Sequence, residues 1–212
     1  MTKVMLLTDG DRRWARERGL PVKAGYDQMS SKVAWCAEMV SARGIAELYV
    51  PVCSIENLKR PPEEVDAFLT AMLDCPRQSA IPLHLTVTGN LAALPNDYQR
   101  RFEELAKRHQ SGFPVRLLLA WSLHDEILRL VNKFRGSAEE ITAGQLARAA
   151  DISATIDLII RTGRVRRMSS FVPFTSPYAE LCFLDIYFPD ITEQHIDYAL
   201  SRLAAADRRY GR

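Results

Sequence analysis

The 212-residue chain has 47% hydrophobic and 25% charged residues, a balance typical of a globular protein that excludes disorder, collagen and coiled coil. Its 28 basic and 26 acidic residues give a formal net charge of +2, too small to indicate a general nucleic-acid-binding or membrane-binding protein. The length predicts a single domain that spans residues 1–212.

Short apolar runs along the chain predict the strands. The runs are typical of strands that are buried on both faces of a parallel sheet. They lie at residues 4–7, 48–52, 83–87, 115–120 and 158–160.

Segments with helical spacing separate these runs. Pro62 and two acids begin a helix with an apolar stripe, and a second helix begins at Pro95. Thr142 and Gln145 form a capping box, and Thr192 can cap a last helix. The alternation predicts an α/β fold whose mostly parallel central sheet is covered by helices on both faces.

Cysteine usage and the apolar segments bear on location. The four cysteines form no CxxC pair, so we expect neither a zinc site nor a disulfide framework. The apolar run at residues 4–7 is too short for a signal peptide. The longest uncharged stretch, 78–96, is interrupted by Pro82 and does not predict a membrane span. We expect a cytoplasmic protein without membrane insertion.

A polar or glycine-containing turn follows each predicted strand. Because the carboxyl ends of parallel strands lie along one edge of a sheet, where ligands bind, these turns should meet at one mouth. The turns are residues 9–13, 53–60, 89–90, 122–125 and 161–170.

The turn at residues 161–170 contains four arginines and no acid. Guanidinium groups bind phosphate oxygens in pairs, so the turn indicates an anion site; the alternative is a solvated basic loop. No basic face or aromatic platform extends beyond it, so we expect no nucleic-acid partner.

Asp9 ends a buried strand, where an acid is costly unless it is hydrogen-bonded or holds a cation. One carboxylate together with substrate phosphates is a common magnesium site, and a turn aspartate is the alternative. Asn57 and Arg60 precede two prolines, and the turn into a helix would also explain them. The chain contains no P-loop, dinucleotide, zincin or α/β-hydrolase motif.

Five segments, in this order, resemble motifs of the cis-prenyltransferases, the undecaprenyl diphosphate synthase family. Residues 9–15 (DGDRRWA) are similar to the DGN-x-RWA motif, and 56–61 (ENLKRP) to ENW-x-RP. Residues 161–169 resemble RTGG…R-x-S, 178–181 match YAEL, and 208–211 resemble the R-x-G tail. The resemblance spans the whole chain.

The resemblance implies residue roles. Asp9 and Glu180 would hold Mg²⁺, and Asp9, Asn57 and Arg60 would act in catalysis. The implied substrate-binding residues are Gly10, Asp11, Arg12, Arg13, Trp14, Tyr26, Arg161, Arg167, Ser169, Arg209 and Gly211. The donor diphosphate would lie at Asp9 and the second diphosphate at Arg161, Arg167 and Ser169. The resemblance also implies a homodimer, with Glu180 and the tail completing the site partly across its interface.

Several positions depart from the family pattern. In this chain Asp11 replaces the family's Asn, Tyr26 its His and Leu58 its Trp. Arg164 replaces the second Gly of RTGG, Ser170 replaces an Asn, and residues 121–124 replace NYGGR. Most of them are expected to line the side that handles isopentenyl diphosphate in linear enzymes. Together they resemble the irregular bacterial subgroup of lavandulyl-type synthases.

This subgroup condenses allylic diphosphates head-to-middle into branched products. The resemblance favours isosesquilavandulyl diphosphate formed from dimethylallyl diphosphate and geranyl diphosphate. The alternatives are a cyclolavandulyl or lavandulyl synthase that uses two dimethylallyl diphosphates, and a linear short-chain cis-prenyl diphosphate synthase that uses isopentenyl diphosphate. A non-catalytic partner subunit is a further alternative, although such subunits tend to lose the aspartate that Asp9 retains.

Overall fold

The computed structural model describes residues 1–95, 97–137 and 140–207. The strands within these ranges are β1 (Lys3–Leu7), β2 (Glu47–Pro51), β3 (Leu83–Gly89), β4 (Phe113–Leu119), β5 (Leu158–Arg161) and β6 (Glu180–Phe183). The α-helices are α1 (Asp11–Glu17), α2 (Val22–Ala42), α3 (Pro62–Asp74), α4 (Tyr98–Arg108), α5 (Leu123–Phe134), α6 (Ala143–Ala149) and α7 (Glu193–Ala205).

The six strands form one parallel sheet in the order β3-β4-β2-β1-β5-β6. β1 lies near its centre, and Val4 pairs with Leu48 of β2 and with Leu158 of β5. The chain builds the sheet first on the β2 side and then on the β5 side of β1. A crevice forms at such a reversal, beyond the carboxyl ends of the strands.

Alternate side chains of β1 enter two separate cores, as the two-residue period of a strand requires. Val4 and Leu6 lie in the larger core, which α2, α3, α4 and α7 cover. Met5 and Leu7 lie in the smaller core on the other face. Residues of connecting segments, Trp121, Ile152 and Ile156, complete that smaller core. Flanked by the seven helices, the sheet confirms the predicted α/β fold.

The five strands predicted from apolar runs are present, with small shifts at their ends. The prediction missed β6, a four-residue edge strand in which only Cys182 is buried. The helix expected at Pro95 begins at Tyr98, because the chain first makes a turn in which the Pro95 carbonyl accepts from the Tyr98 amide. The helices that begin at Pro62, after Thr142 and after Thr192 are confirmed.

All four cysteines are free and buried, which agrees with the absence of a disulfide framework. Across the described ranges, no helix is both long and apolar enough to cross a membrane.

Candidate active site

The carboxyl ends of β1 and β5 are tied together beside Asp9. The Thr162 hydroxyl, just past β5, accepts from the Asp9 backbone N–H at 3.0 Å. The same hydroxyl lies 3.3 Å from the Leu7 carbonyl and 3.0 Å from the Asp9 carbonyl, either of which can accept its proton. Gly163 follows with φ +96°, and a Cβ there would lie only 2.7 Å from Asp9 Cγ. The Asp9 side chain therefore packs directly against the Gly163 backbone.

Two arginines hold the Asp9 carboxylate. Arg13 Nη2 donates to Oδ1 at 3.0 Å, and Arg161 Nη2 donates to Oδ2 at 2.9 Å. Arg161 is buried and also donates to the Ser169 hydroxyl at 3.3 Å. The Asp9 side chain keeps about a third of its surface exposed. Asp9 is thus a partly accessible carboxylate between cationic groups that are able to bind phosphate.

Two cavities open on either side of Asp9, of about 280 and 320 Å³. Thr8, Asp9, Asn57 and Arg60 line both of them. We call them the first and the second cavity. The Asn57 amide oxygen accepts from the Ser54 backbone N–H at 3.1 Å, which fixes this shared wall to the end of β2.

The first cavity combines cationic and apolar lining residues. Arg12, Arg13 and Arg16 lie at its polar side, and Gly10 and Asp11 also line it. Its apolar lining is Tyr26, Met29, Val52 and Phe68. The Tyr26 and Phe68 rings pack edge to face, with centroids 5.7 Å apart. This arrangement suits a ligand with an anionic head and a short apolar tail.

The second cavity lies between the arginine turn and the segment after β2. Arg161, Arg167 and Ser169 line it. The Ser170 hydroxyl donates to Glu56 Oε2 at 3.2 Å and so joins the two segments. Hydrogen bonds from Ser54 and Ser170 lower the pKa of Glu56.

An aromatic pair closes one side of the second cavity. Phe171 lines it and stacks on the buried Trp121, with centroids 6.1 Å apart and an interplanar angle of 18°. Trp121 belongs to the segment that stands in place of the family's NYGGR. This departure therefore affects the second cavity indirectly, because Trp121 packs against Phe171, which lines the cavity.

Buried polar atoms without a hydrogen-bond partner concentrate at this edge of the sheet. Among the described residues they are Asp11 Oδ1, Arg12 Nε, Trp121 Nε1 and Arg161 Nε. A buried polar group without a partner costs about 1–3 kcal/mol. Three of the four belong to residues that line the two cavities. One of them, Arg12 Nε, lies 3.2 Å from Glu64 Oε2 without hydrogen-bond alignment.

Asp11 is buried, and the loss of solvent together with the charge of Asp9 raises its pKa to about 8. At neutral pH its carboxyl is therefore mostly uncharged, as is the amide of the asparagine usual at this family position. Burial likewise raises the pKa of Tyr26, so its hydroxyl keeps its proton.

The donor set at Asp9 fits magnesium held mainly by a substrate. In the part of the chain that the structure describes, no three His, Cys, Asp or Glu side chains converge into a metal-binding group. Mg²⁺ commonly takes one or two carboxylates and completes its shell with phosphate oxygens and water. The partly exposed Asp9 carboxylate, which lines both cavities, fits this kind of site.

Within one chain, Glu180 lies away from Asp9. Glu180 begins β6 and pairs with Leu158, whereas Asp9 lies two residues beyond Leu7, which pairs with Arg161. This offset corresponds to roughly 16 Å along the strands. A magnesium ion shared by both residues of the same chain is thus ruled out, and a contribution of Glu180 from a second copy stays a prediction.

Three residues lie elsewhere than the sequence predicts: Trp14, Arg164 and Tyr26. Trp14 lines neither cavity; its indole N–H donates to Asp190 at 2.8 Å, so a substrate contact is not supported. Arg164 also lines neither: its guanidinium lies 4.2 Å from the Tyr187 ring centroid and 3.7 Å from Glu17. Its bulk therefore does not fill the second cavity. Tyr26, expected on that side, lies in the first cavity.

The other predicted site residues lie together around the two cavities, except Arg209 and Gly211, which lie outside the described residues. Sequence reasoning did not assign roles to Thr162, Gly163, Phe171 and Glu64. The first two are part of the RTG segment, which was the available signal. Glu64 gave no signal beyond its place in a first helical turn.

A larger cleft of about 650 Å³ lies between α2, α3 and α4. Its charged side chains include the ion pairs Lys23–Asp27, Arg77–Asp74 and Arg108–Glu104. It contains none of the unpartnered buried atoms, so the two smaller cavities are the better candidate site.

The comparisons with known proteins agree with this geometry. The family model "Putative undecaprenyl diphosphate synthase" matches residues 7–211. An isoprenyl transferase of Geobacillus kaustophilus is 32% identical over 98% of this chain and 87% of its own length. An isoprenyl transferase of Treponema denticola is 30% identical over 98% of this chain and 96% of its own length. A (2Z,6E)-farnesyl diphosphate synthase of Mycolicibacterium smegmatis is 28% identical over 99% and 88%.

Solved structures share the fold. Lavandulyl diphosphate synthase from Lavandula x intermedia, in complex with dimethylallyl diphosphate, superposes with a TM-score of 0.90 at 22% identity, covering 100% of this chain and 98% of that one. A probable undecaprenyl diphosphate synthase from Campylobacter jejuni superposes with a TM-score of 0.79 at 21% identity, covering 100% of this chain and 99% of that one. The chain is therefore a prenyltransferase that belongs to the cis-prenyltransferase family, the family of the undecaprenyl diphosphate synthases.

Proposed function

We propose that this prenyltransferase joins two allylic diphosphates head-to-middle and forms a branched lavandulyl-type diphosphate. The preferred product is isosesquilavandulyl diphosphate, formed from dimethylallyl diphosphate and geranyl diphosphate. The observation that carries the proposal is the pair of cavities that meet at Asp9, Asn57 and Arg60. Two anionic substrates could occupy them so that their reactive carbons meet beside these shared residues.

The first cavity would hold the donor. Arg12 and Arg13 bind its diphosphate and stabilise the negative charge that develops as the C1–O bond breaks. A magnesium ion at Asp9, when bound, would add charge neutralisation to the leaving diphosphate. Tyr26 and Phe68 surround the allylic tail and exclude water from the cation.

The second cavity would hold the acceptor through Arg161, Arg167 and Ser169. Its C2 forms the new bond to C1 of the donor, and loss of one proton from the resulting cation restores an alkene. The donor diphosphate is released, and the product keeps the acceptor diphosphate. The Phe171 ring provides an apolar wall against which the acceptor tail packs.

The head-to-middle outcome is supported by the departures around the second cavity. Trp121 backs Phe171, and Ser170 is held to Glu56, at positions where the family has NYGGR and asparagine. A displacement of about 1 Å changes rates on the order of 10²-fold, so a reshaped wall can select a different alkene carbon. The lavandulyl diphosphate synthase shows that this fold can accommodate dimethylallyl diphosphate.

A linear cis-prenyl synthase is the second candidate. The relatives that are 30% and 32% identical are isoprenyl transferases, and a relative that is 28% identical is a (2Z,6E)-farnesyl diphosphate synthase. These relatives favour chain extension with isopentenyl diphosphate. A cyclolavandulyl or lavandulyl product from two dimethylallyl diphosphates, and a non-catalytic partner subunit, are further outcomes that the same experiment distinguishes.

The test incubates the purified chain alone with Mg²⁺ and three substrate sets: dimethylallyl diphosphate, dimethylallyl with geranyl diphosphate, and dimethylallyl with isopentenyl diphosphate. Products are dephosphorylated and identified by mass spectrometry and NMR. We expect branched product from allylic substrates alone and little linear product with isopentenyl diphosphate. Efficient formation of a linear cis chain would overturn the head-to-middle proposal. Turnover only after addition of a second, different chain would indicate the partner subunit.

Arg167→Ala is expected to raise the acceptor KM about 10- to 100-fold, with a much smaller change in the donor KM. The reason is the loss of a charge-assisted contact to the acceptor diphosphate, worth about 1.5–3 kcal/mol. Initial rates with each substrate varied in turn give both constants. Arg166→Ala is the matched control, because Arg166 is exposed, pairs with Asp185 and does not line the second cavity. A change confined to the donor KM would mean that the two diphosphate sites are assigned in the wrong order.

The homodimer remains a prediction, and one surface supports it. Exposed apolar side chains gather on and near α5, where Leu128 and Val131 each keep about 60% of their surface accessible. The distance between Glu180 and Asp9 within one chain also agrees with a site that a second copy completes.

A further inference from the structure

A bridge of two side chains connects two arginines of the first cavity. Glu64 Oε2, in the first turn of α3, lies 3.2 Å from Arg12 Nε. The same oxygen accepts from the Tyr26 hydroxyl at 3.3 Å, and that hydroxyl accepts from Arg60 Nη1 at 3.3 Å. Arg12 belongs to α1 and Arg60 to the segment before α3, so the bridge joins two separate parts of the chain.

The chemistry of each member suits this bridge. A phenol has one proton to donate and lone pairs that accept, so Tyr26 can serve a carboxylate and a guanidinium together. The Tyr26 ring is buried against Phe68, which leaves its hydroxyl little freedom to turn away. Glu64 is largely shielded, with 17% of its side chain exposed. A shielded carboxylate interacts with nearby cations more strongly than one in water.

Arginine side chains are long and lose substantial rotamer freedom when they are fixed. Arg12 and Arg60 also repel each other when both point into one cavity of about 280 Å³. The shared carboxylate offsets this repulsion before any anion arrives. Arg12 Nε is buried without a well-aligned hydrogen-bond acceptor, so its contact with Glu64 is an ion pair and not a hydrogen bond.

We propose that Tyr26 and Glu64 are positioning residues that hold Arg12 and Arg60 ready for the donor diphosphate. The inference rests on the proposed function only in assigning the donor to the first cavity, and it applies equally to branched and linear products. Glu64 acts on both arginines, whereas Tyr26 acts on Arg60. Removing the bridge should weaken donor binding and ionisation more than acceptor binding.

The experiment compares Glu64→Gln, Tyr26→Phe, the double variant and Tyr26→His. Glu63→Gln is the matched control, because Glu63 occupies the same helical turn and is exposed. Initial rates give kcat and the KM of each substrate. Calorimetry with inorganic diphosphate and Mg²⁺ measures anion binding without turnover. Thermal unfolding checks the fold of every variant.

We expect Glu64→Gln and Tyr26→Phe each to raise the donor KM about tenfold and to weaken diphosphate binding similarly, as the loss of a hydrogen bond to a charged group does. The double variant should resemble Glu64→Gln, because both changes break one bridge. Tyr26→His should recover much of the loss, since an imidazole can also donate and accept.

The proposal is overturned if Glu64→Gln behaves as Glu63→Gln does, if donor and acceptor KM rise equally, or if the two single effects multiply. If Glu64→Gln does not fold, the comparison of Tyr26→Phe with Tyr26→His decides. Linear product from the wild-type chain would refute the proposed function but leave this test valid, because it depends on the donor constants and on diphosphate binding.

Discussion

Asp9→Ala is expected to lower turnover about 10²- to 10³-fold, the usual effect of removing one group that stabilises a developing anion. Asp9 is the carboxylate that lines both cavities and fits magnesium, and both of its oxygens are held by arginines. The side chain is partly exposed and fills no core volume. The chain should still fold, with a free energy of unfolding lower by about 1–3 kcal/mol because the buried Arg161 loses its ion-pair partner.

The measurement is kcat at saturating substrates and Mg²⁺, together with the free energy of unfolding in urea. Asp185→Ala is a suitable control, because Asp185 is exposed and pairs with Arg166 outside both cavities. Asp9→Asn retains the shape and removes the charge, so it should be nearly as inactive as the alanine variant. Activity of Asp9→Ala within tenfold of the wild type would refute the magnesium assignment.

Gly163→Ala should lower turnover by about 10²-fold or more. Its Cβ would lie 2.7 Å from Asp9 Cγ and 2.8 Å from Asp9 Cβ, so the aspartate has to move. A displacement near 1 Å at a reacting centre costs on the order of 10²-fold in rate. The backbone at φ +96° adds strain that a residue with a Cβ does not tolerate well.

Gly136→Ala separates the two effects. Gly136 has φ +83°, close to that of Gly163, but a Cβ there meets nothing within 4 Å. Both variants should lose folding stability through backbone strain, and Gly163→Ala should lose more because of its clash with Asp9, whereas only Gly163→Ala should lose most of its turnover. Equal kinetics for the two variants would show that contact with Asp9 is unimportant.

Local sequence patterns predict the strands and helices whose position is determined by a short run of neighbouring residues. The apolar runs gave five strands, and the capping residues Thr142 and Thr192 marked two helices. β6 was not predicted because it lies at the edge of the sheet and only one of its residues is buried, so it has no apolar run. The 21-residue α2 was also not predicted, although its buried residues Tyr26, Met29, Val33, Ala37 and Val40 follow helical spacing, because Gly25 and Ser30 on the same face weaken the apolar pattern.

The candidate site was predictable as a set of residues but not as two cavities. Motif resemblance brought Asp9, Arg161 and Ser169 together, and the order of the strands explains why they meet. The positions of Tyr26 and Arg164 depend on contacts with Phe68 and Tyr187, which are distant in sequence. The role of Gly163 depends on the pairing of β1 with β5, which the spacing of residues along the chain does not reveal.

Because four residues line both cavities, we expect the two proposed binding equilibria to be linked. An anion that draws Arg60 or the arginines at Asp9 toward one cavity changes the charge that the other cavity offers. Thermodynamic reciprocity requires that each ligand alter the affinity of the other by the same factor. A dissociation constant measured for one diphosphate alone will therefore differ from its value when the other cavity is occupied. Inorganic diphosphate retained after the reaction will influence the binding of both subsequent substrates.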